Sequence, residues 1–262
     1  MADQPVTDDH QDLQAKMRGE PDRPLFPSEI DITFFVPCYN EEKNVRGAID
    51  KLSAVAATLR LSHEIIVFDD CSKDGTADVV RGYQREHPDA PVQLVTCAVN
   101  QGVSRNFVEG AFRGRGRHYR LVCGDDIEPI ESHLALARRI GEADMIIPYF
   151  TRIEGRPFYR HAISWLFTRL VNLASGYSLH YYNGCPIYRR FDIIRYHVET
   201  TGFGYQAEML TRLLHEGRTF IEVPLVSMDR VGSASLNMRN FLSVAHSLLK
   251  IVLRRMRVYL FD

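Results

Sequence analysis

Several common signals are missing from this chain of 262 residues, and each absence argues against a class of protein. No run of 18 apolar residues occurs, so the sequence predicts no membrane-spanning helix. The 32 Lys and Arg are balanced by 33 Asp and Glu, which argues against a nucleic-acid partner. The five cysteines are widely spaced and include no C-x-x-C pair, so neither a zinc site nor a disulfide framework is expected. No G-x-G-x-x-G follows the first predicted strand, which disfavours a nicotinamide-dependent dehydrogenase.

Short apolar runs alternate with helical patterns between residues 32 and 150. The runs at 32–36 and 65–68 are rich in strand-forming residues, and the first is followed by apolar positions at helical spacing over 45–59. The alternation predicts an α/β protein with a single Rossmann-like, mostly parallel sheet and helices on both faces. Ligands of such sheets bind at the carboxyl ends of the strands. Polar residues at those ends are therefore the candidates for a functional site.

The first two polar segments at predicted strand ends are 37–41 and 69–76. In the first, Tyr39 can stack on a base, whereas Asn40 is also explained as a helix N-cap. The second begins with two adjacent aspartates. Such acids are costly to leave unpaired at the end of an apolar strand, which suggests a ligand with hydrogen-bond donors; a capped turn is the alternative.

The third and fourth polar segments, 100–106 and 124–129, suit phosphate and metal binding. Gly102 permits a close backbone approach, the helix that follows favours a phosphate at its N-terminus, and Arg105 adds positive charge. The fourth segment holds three carboxylates within four residues, which is a hard-oxygen set suited to Mg²⁺ or Mn²⁺. A solvated acidic turn is the alternative for this segment.

In this order, the four segments resemble the successive nucleotide-sugar segments of glycosyltransferase family 2, which has the GT-A fold, and the likeness extends over roughly residues 31–236. The resemblance implies a donor site in which Asp70 lies by the nucleoside. The residues it assigns to the donor are Pro37, Tyr39, Asn40, Glu41, Asp70, Ser72, Asn100, Gly102, Arg105 and Asp125. It assigns the Mg²⁺ or Mn²⁺ to Asp125, Asp126 and Glu128. Family members usually space two aspartates by one residue, whereas here they are adjacent, which leaves open which of them ligates the metal.

The C-terminal half is similar to the dolichol- and polyprenyl-phosphate sugar synthases of that family, through segments 182–189, 204–210 and 222–232. By this resemblance, the acceptor phosphate and the leaving diphosphate are surrounded by Arg152, Arg160 and Arg230, and Gln206 belongs to the acceptor site. Family members commonly have Ser-Lys after the Arg-and-Gly turn, where this chain has Ser235-Leu236.

The implied activity is an inverting, metal-dependent transfer of a hexose from a GDP- or UDP-sugar to a lipid-linked phosphate. The expected catalytic residues are Asp126, Arg230 and Glu208. A phosphate acceptor is already anionic and needs no strong base, whereas a hydroxyl of a glycolipid or polysaccharide would need one, and Glu208 is the candidate. A nucleotide-sugar-binding regulator that has lost catalysis is the third possibility.

Three regions are expected along the chain: a mobile polar arm at 1–30, the GT-A domain at 31–236 and a basic amphipathic helix at 237–262. On the helix, apolar positions between 241 and 259 share one side, with Lys250, Arg254 and Arg257 opposite. Such a helix is typical of membrane-surface or partner binding; packing on the domain with its charges in water is the alternative. Because a polyprenyl acceptor lies in the bilayer, we expect a cytoplasmic enzyme, peripheral on the cytosolic membrane face. The sequence leaves the oligomeric state open.

Overall fold

The computed structural model describes residues 30–197, 202, 204–228 and 246–256. Seven strands of this part form one sheet in the order β3-β2-β1-β4-β6-β5-β7. Their bounds are β1 Ile32–Cys38, β2 His63–Asp69, β3 Val92–Thr96, β4 His118–Leu121, β5 Met145–Glu154, β6 Ile187–Arg189 and β7 Phe220–Met228. Only β6 is antiparallel to its neighbours among these strands. The carboxyl ends of the other six therefore meet at the same edge of the sheet.

Helices cover both faces of this sheet, as the alternation predicts. Their bounds are α1 Val45–Leu59, α2 Thr76–Glu86, α3 Val103–Arg113, α4 Ile130–Ala137, α5 Phe158–Ser175, α6 Arg190–Arg195, α7 Tyr205–His215 and, as far as it is described, α8 246–256. Strand β1 shows how two cores arise: Phe35 packs in one apolar cluster with Phe107 of α3, whereas Phe34 packs in the other with Ile49 of α1. Successive strand residues point to opposite faces, so a strand between two helical layers is apolar at nearly every position.

The predicted arm at 1–30 lies outside the described residues except for Ile30, and so do the parts of the predicted C-terminal helix before 246 and after 256. The described part of that helix, α8, is packed on the domain with Ser247 and Ile251 buried. None of the helices in the described ranges combines the length and hydropathy that a membrane crossing requires.

Candidate active site

Hydrogen bonds join the first two polar segments where β1 and β2 end. The backbone N–H of Asn40 donates to Ser72 Oγ at 2.9 Å, and Asn40 Oδ1 accepts from the N–H of Lys73 at 2.8 Å. Asn40 has a φ of 58°, in the left-handed region that asparagine tolerates better than most residues. The N-cap position of α1 is Asn44, so the alternative that Asn40 caps this helix is wrong. Its side chain closes the loop against the second segment instead.

Tyr39 and Glu41, which flank Asn40, differ in exposure. Tyr39 is 47% exposed, so its ring is accessible at this edge of the sheet. Glu41 is buried, its N–H donates to Thr76 Oγ1 at 2.9 Å, and its carboxylate accepts from Asn44 Nδ2 at 2.8 Å. Glu41 therefore stabilises the loop through buried hydrogen bonds, whereas the ring of Tyr39 is open to solvent.

Asp70 connects the second segment to the third. Its buried carboxylate accepts the backbone N–H groups of Gln101 at 2.8 Å and Gly102 at 2.9 Å, while Asn100 Nδ2 donates to its carbonyl at 3.2 Å. Groups of the chain thus donate the hydrogen bonds to Asp70 that the sequence suggested a ligand would donate. Gly102 has a φ of 82°, which explains the glycine at this turn. Arg105 on α3 is exposed.

The three carboxylates of the fourth segment have different neighbours. Asp126 Oδ1 lies 2.7 Å from Nζ of Lys51 on α1, and Glu128 Oε1 lies 2.5 Å from the guanidinium of Arg120 on β4. Asp125 is half-buried. Within the described ranges, no group of three or more His, Cys, Asp or Glu side chains is arranged to hold a metal. The structure therefore does not bring the predicted set of Asp125, Asp126 and Glu128 together as three ligands of one metal. Glu128 is paired with Arg120, whereas Oδ1 of Asp126, although close to Lys51, is buried without a hydrogen-bond partner among the described residues.

A buried polar network lies beneath this segment. Arg120 is 1% exposed, lies 2.6 Å from Nδ1 of His133 and donates from Nε to the carbonyl of Cys185 at 3.2 Å. Burial lowers the pKa of His133 to about 4, so this imidazole is neutral at pH 7 and accepts from Arg120. Burial by itself would raise the pKa of Glu128, but Arg120 holds it below its usual value. Arg120 thereby ties the fourth segment to the loop before β6.

A cleft of about 420 Å³ opens beside the carboxyl end of β5, between α5 and residues 178–181. Five basic residues are among those that line it: Arg152, Arg156, His161, Arg169 and His180. Arg156 donates to Ser164 Oγ at 2.7 Å, and its buried Nε has no hydrogen-bond partner among the described residues. This arrangement suits an anion.

The cleft includes only part of the predicted acceptor site. Arg152 lines it, Arg160 is half-buried and is not part of its lining, and Arg230 lies outside the described residues. Sequence reasoning missed Arg156 and Arg169, although the dense run of arginines between 152 and 169 was a signal for them. Gln206 on α7 lies elsewhere, with Nε2 at 3.9 Å from Cys185 Sγ.

Glu208, the candidate base, is buried on α7 and lies 3.3 Å from the guanidinium of Arg254 on α8. Because Arg254 turns towards Glu208, the alternative that this helix packs on the domain with its charges in water is wrong for Arg254. The outer side of α8 is apolar instead.

Exposed apolar side chains of two helices form what we call the α5–α8 surface. Its members are Tyr159, Ile163, Leu166, Leu170 and Leu173 of α5 and Leu249, Val252, Leu253 and Met256 of α8. The α5 residues recur at helical spacing and so form one stripe. Arg255 joins the two helices by donating to the carbonyl of Leu173 at 2.9 Å. Exposed apolar side chains grouped in this way are typical of a binding surface for a protein or a membrane.

A mostly parallel seven-strand sheet with helices on both faces, and with polar loops at the carboxyl ends of its strands, is the architecture of a GT-A glycosyltransferase. The family model of glycosyl transferase family 2 matches residues 33–197, which is more than half of the chain. The chain therefore belongs to glycosyl transferase family 2.

Curated relatives of known activity match parts of the chain. A dolichyl-phosphate beta-glucosyltransferase of Trichomonas vaginalis is 32% identical over 119 residues, which cover 44% of this chain and 35% of the relative. An undecaprenyl-phosphate mannosyltransferase of Micrococcus luteus is 24% identical over 212 residues, covering 74% of this chain and 82% of the relative. The chain thus spans about a third of the length of the first relative and most of the second.

Solved structures of GT-A enzymes share the fold. Glucosyl-3-phosphoglycerate synthase of Mycobacterium tuberculosis in complex with UDP matches with a TM-score of 0.63 and 17% identity, covering 86% of this chain and 80% of that one. A mannosyltransferase of Pyrobaculum calidifontis in complex with GDP-Man and Mn²⁺ matches with a TM-score of 0.60 and 19% identity, covering 94% and 70%. The predicted GT-A fold is confirmed.

Proposed function

We propose that the protein transfers a hexose from a GDP- or UDP-linked sugar to a polyprenyl-type lipid phosphate at a membrane surface, with inversion at the anomeric carbon. The observation that carries the proposal is that an acidic loop and an arginine-lined cleft lie at the same edge of the sheet, at the ends of β4 and β5. Membership of the family supports it, and so do relatives named for transfer to dolichyl and undecaprenyl phosphate.

On the donor side, Tyr39 and the loops closed by Asn40 and Asp70 bind the nucleoside, and the adjacent aspartates Asp125 and Asp126 would hold Mg²⁺ or Mn²⁺. The residues fit such an ion, because Mg²⁺ is usually held by one or two carboxylates together with the phosphates of the substrate. When bound there, such an ion would supply positive charge to stabilise the departing diphosphate. We assign Glu128 to the shape of the loop, because Arg120 holds its carboxylate. Oδ1 of Asp126 is buried without a hydrogen-bond partner among the described residues, so it is an oxygen that a metal would satisfy. Structures of two neighbours in the fold contain Mn²⁺, which supports the metal.

On the acceptor side, the cleft beside β5 binds the lipid phosphate. Arg152, Arg156 and Arg169 surround it with guanidinium groups, which bind phosphate oxygens in pairs. The Nε of Arg156 is a buried donor that a phosphate oxygen would satisfy. Arg160 and Arg230 stay proposed partners of the phosphates.

A phosphate acceptor also agrees with the surroundings of Glu208. A hydroxyl acceptor requires a base within reach of its proton. Glu208 is instead buried against Arg254, which would have to move before the carboxylate could take a proton. A phosphate monoester is anionic at neutral pH and attacks without such a base.

The α5–α8 surface supplies the membrane contact in this proposal. Exposed leucines and Trp165 on α5 can enter the boundary between headgroups and acyl chains, and nearby arginines can meet anionic headgroups. Helix α5 also contributes Ser164, Trp165 and Arg169 to the cleft, so one helix reaches both the membrane and the acceptor phosphate. We propose the cytosolic face as the side of approach; the five free cysteines support a reducing compartment.

The test is a transfer assay with the purified full chain, vesicles that contain a polyprenyl phosphate, and labelled UDP- and GDP-sugars with Mn²⁺ or Mg²⁺. We expect a lipid-extractable labelled product with one nucleotide class, and its loss in EDTA. Asp125→Asn should abolish the product, whereas the matched control Asp78→Asn, at an exposed acid on α2, should not. Donor binding without product from any donor would favour the regulator instead.

A further inference from the structure

His180, in the wall of the cleft beside β5, is oriented by a carboxylate and an aromatic ring. Its Nδ1 lies 2.8 Å from Oε2 of Glu222 on β7, and its ring stacks on Tyr149 of β5 with 4.6 Å between the ring centroids. Because a carboxylate only accepts hydrogen bonds, Nδ1 donates to it, and the other ring nitrogen, Nε2, is the one that a ligand can meet. The side chain of His180 is 65% exposed, so it is accessible from the cleft.

Backbone contacts hold the loop that carries His180. Asn172 of α5 accepts the N–H of Leu179 at 3.2 Å and donates to the carbonyl of Leu179 at 3.0 Å. The backbone N–H of His180 donates to the second oxygen of Glu222, Oε1, at 2.8 Å. These bonds fix the backbone on both sides of the cleft without the imidazole. The contact of Nδ1 with Glu222 and the stack on Tyr149 therefore set the direction of the ring.

The cleft that His180 lines is cationic. Four other basic residues line it: Arg152, Arg156, His161 and Arg169. No Asp or Glu is among the described residues that line it, and Glu222, whose side chain is only 14% exposed, lies behind the imidazole rather than in the wall. The cleft thus presents basic groups and no carboxylate to an anion.

Resting on the proposed function, we infer that His180 binds the acceptor phosphate through Nε2, and that this contact selects a phosphate monoester from the phosphodiesters of the surrounding membrane. Imidazole and phosphate monoesters both exchange a proton in the neutral range, so one proton between Nε2 and a phosphate oxygen makes the hydrogen bond whichever group carries it. A phosphodiester has no such proton and only accepts. Guanidinium groups donate to both kinds of phosphate and do not distinguish them in this way.

The test measures binding of geranyl phosphate, a soluble short-chain isoprenoid monoester, by calorimetry, with its methyl diester for comparison. His180→Asn keeps a side-chain N–H for Glu222 and removes Nε2. We expect about tenfold weaker binding of the monoester, because a hydrogen bond to a charged group is lost, and a much smaller change for the diester. His197→Asn is the matched control, because His197 is an exposed histidine whose Nδ1 also meets an oxygen, the carbonyl of Ile194. It should bind both compounds as the wild type does, and neither variant should change the affinity for UDP or GDP.

A second measurement locates the contact in the wild-type chain. Diethyl pyrocarbonate modifies exposed imidazoles, and mass spectrometry gives the rate at each histidine. Geranyl phosphate at about ten times its Kd should slow modification of His180 roughly tenfold and leave the rate at His197 unchanged. Unchanged affinity for the monoester in a folded His180→Asn protein, or no protection of His180, would overturn the inference. Binding of geranyl phosphate with protection of His180, but with no sugar transferred to a polyprenyl phosphate, would refute the proposed function alone; a wild-type chain that does not bind geranyl phosphate would refute both.

Discussion

Glu208 on α7 and Arg254 on α8 form an ion pair of 3.3 Å, with the carboxylate almost completely buried. Arg254 also reaches the carbonyl oxygen of Glu208 at 3.4 Å. A buried carboxylate is costly unless it is paired, so the pair anchors the C-terminal helix to the catalytic domain. Glu208, which the sequence suggests as a general base, thus forms part of the contact between α7 and α8.

Glu208→Gln should therefore keep transfer to a polyprenyl phosphate within about threefold of the wild-type kcat, because no proton has to be removed from the acceptor. Loss of a general base typically lowers the rate by about 10²–10⁴-fold. Steady-state kinetics with saturating acceptor distinguish these results. Glu216→Gln, at an exposed position just after α7, is the control for a changed charge nearby. A hundredfold fall in Glu208→Gln alone would restore the role of base.

Arg156→Met and Arg169→Met should raise the KM for the lipid phosphate by about tenfold or more, since each removes a guanidinium from the cleft. The KM for the nucleotide sugar should change little. Arg139→Met removes an exposed ion pair with Glu142 and serves as the control. If donor KM rises and acceptor KM does not, the cleft belongs to the donor.

Leu166→Glu combined with Leu170→Glu should abolish co-sedimentation with anionic vesicles, because it places two charges in the α5–α8 surface. Both leucines are exposed, so the melting temperature should stay within a few degrees of the wild type. Phe112→Glu makes the same kind of change at an exposed position of α3 and should leave vesicle binding intact. Undiminished sedimentation of the double variant would show that the membrane contact lies elsewhere.

His133 should make the protein less stable in acid. Its pKa is lowered from 6.5 to about 4, so between these values the unfolded chain binds a proton that the folded chain does not. The free energy of unfolding therefore falls as the pH drops from 6.5 to 4, by up to about 3 kcal/mol from this residue. Urea titrations across this range measure the slope.

His133→Asn keeps an acceptor for Arg120 and removes the titration, so its stability should depend less steeply on pH. Asp192 titrates in the same range with the opposite effect, because burial raises its pKa to about 6. It is present in both proteins, so the difference between the two curves isolates His133. Parallel curves would contradict the assignment of His133 as a buried neutral imidazole.

The sequence predicts the sheet and the polar segments well, because strand and helix periodicity are local signals. Strand β6 is harder to predict: it has three residues and runs antiparallel between β4 and β5, so its place depends on pairing over long distances in the chain. The resemblance to glycosyltransferase family 2 predicts the GT-A fold, and the structure confirms it.

The sequence could not predict which way the side chains at the site point. Three acids in four residues suggest one metal site, but Arg120 pairs with Glu128, and Lys51, 75 residues before Asp126 in the chain, lies 2.7 Å from the Asp126 carboxylate. The partner of Glu208 is similarly remote, on α8. Charged residues that meet only in the folded chain leave no periodic signal in the sequence. Sequence patterns therefore suggested a metal for the acidic loop and proton transfer for Glu208, and could not predict their partners in the chain.

The central claim is that a lipid phosphate, and not an alcohol, accepts the sugar. The most direct measurement offers the wild-type chain equal amounts of a polyprenyl phosphate and the matching polyprenol in the same vesicles, with the donor and metal that support transfer. Mass spectrometry of the extracted lipids then identifies the product. We predict a polyprenyl-phosphate sugar and no glycosylated polyprenol. A product formed only on the alcohol would contradict the account.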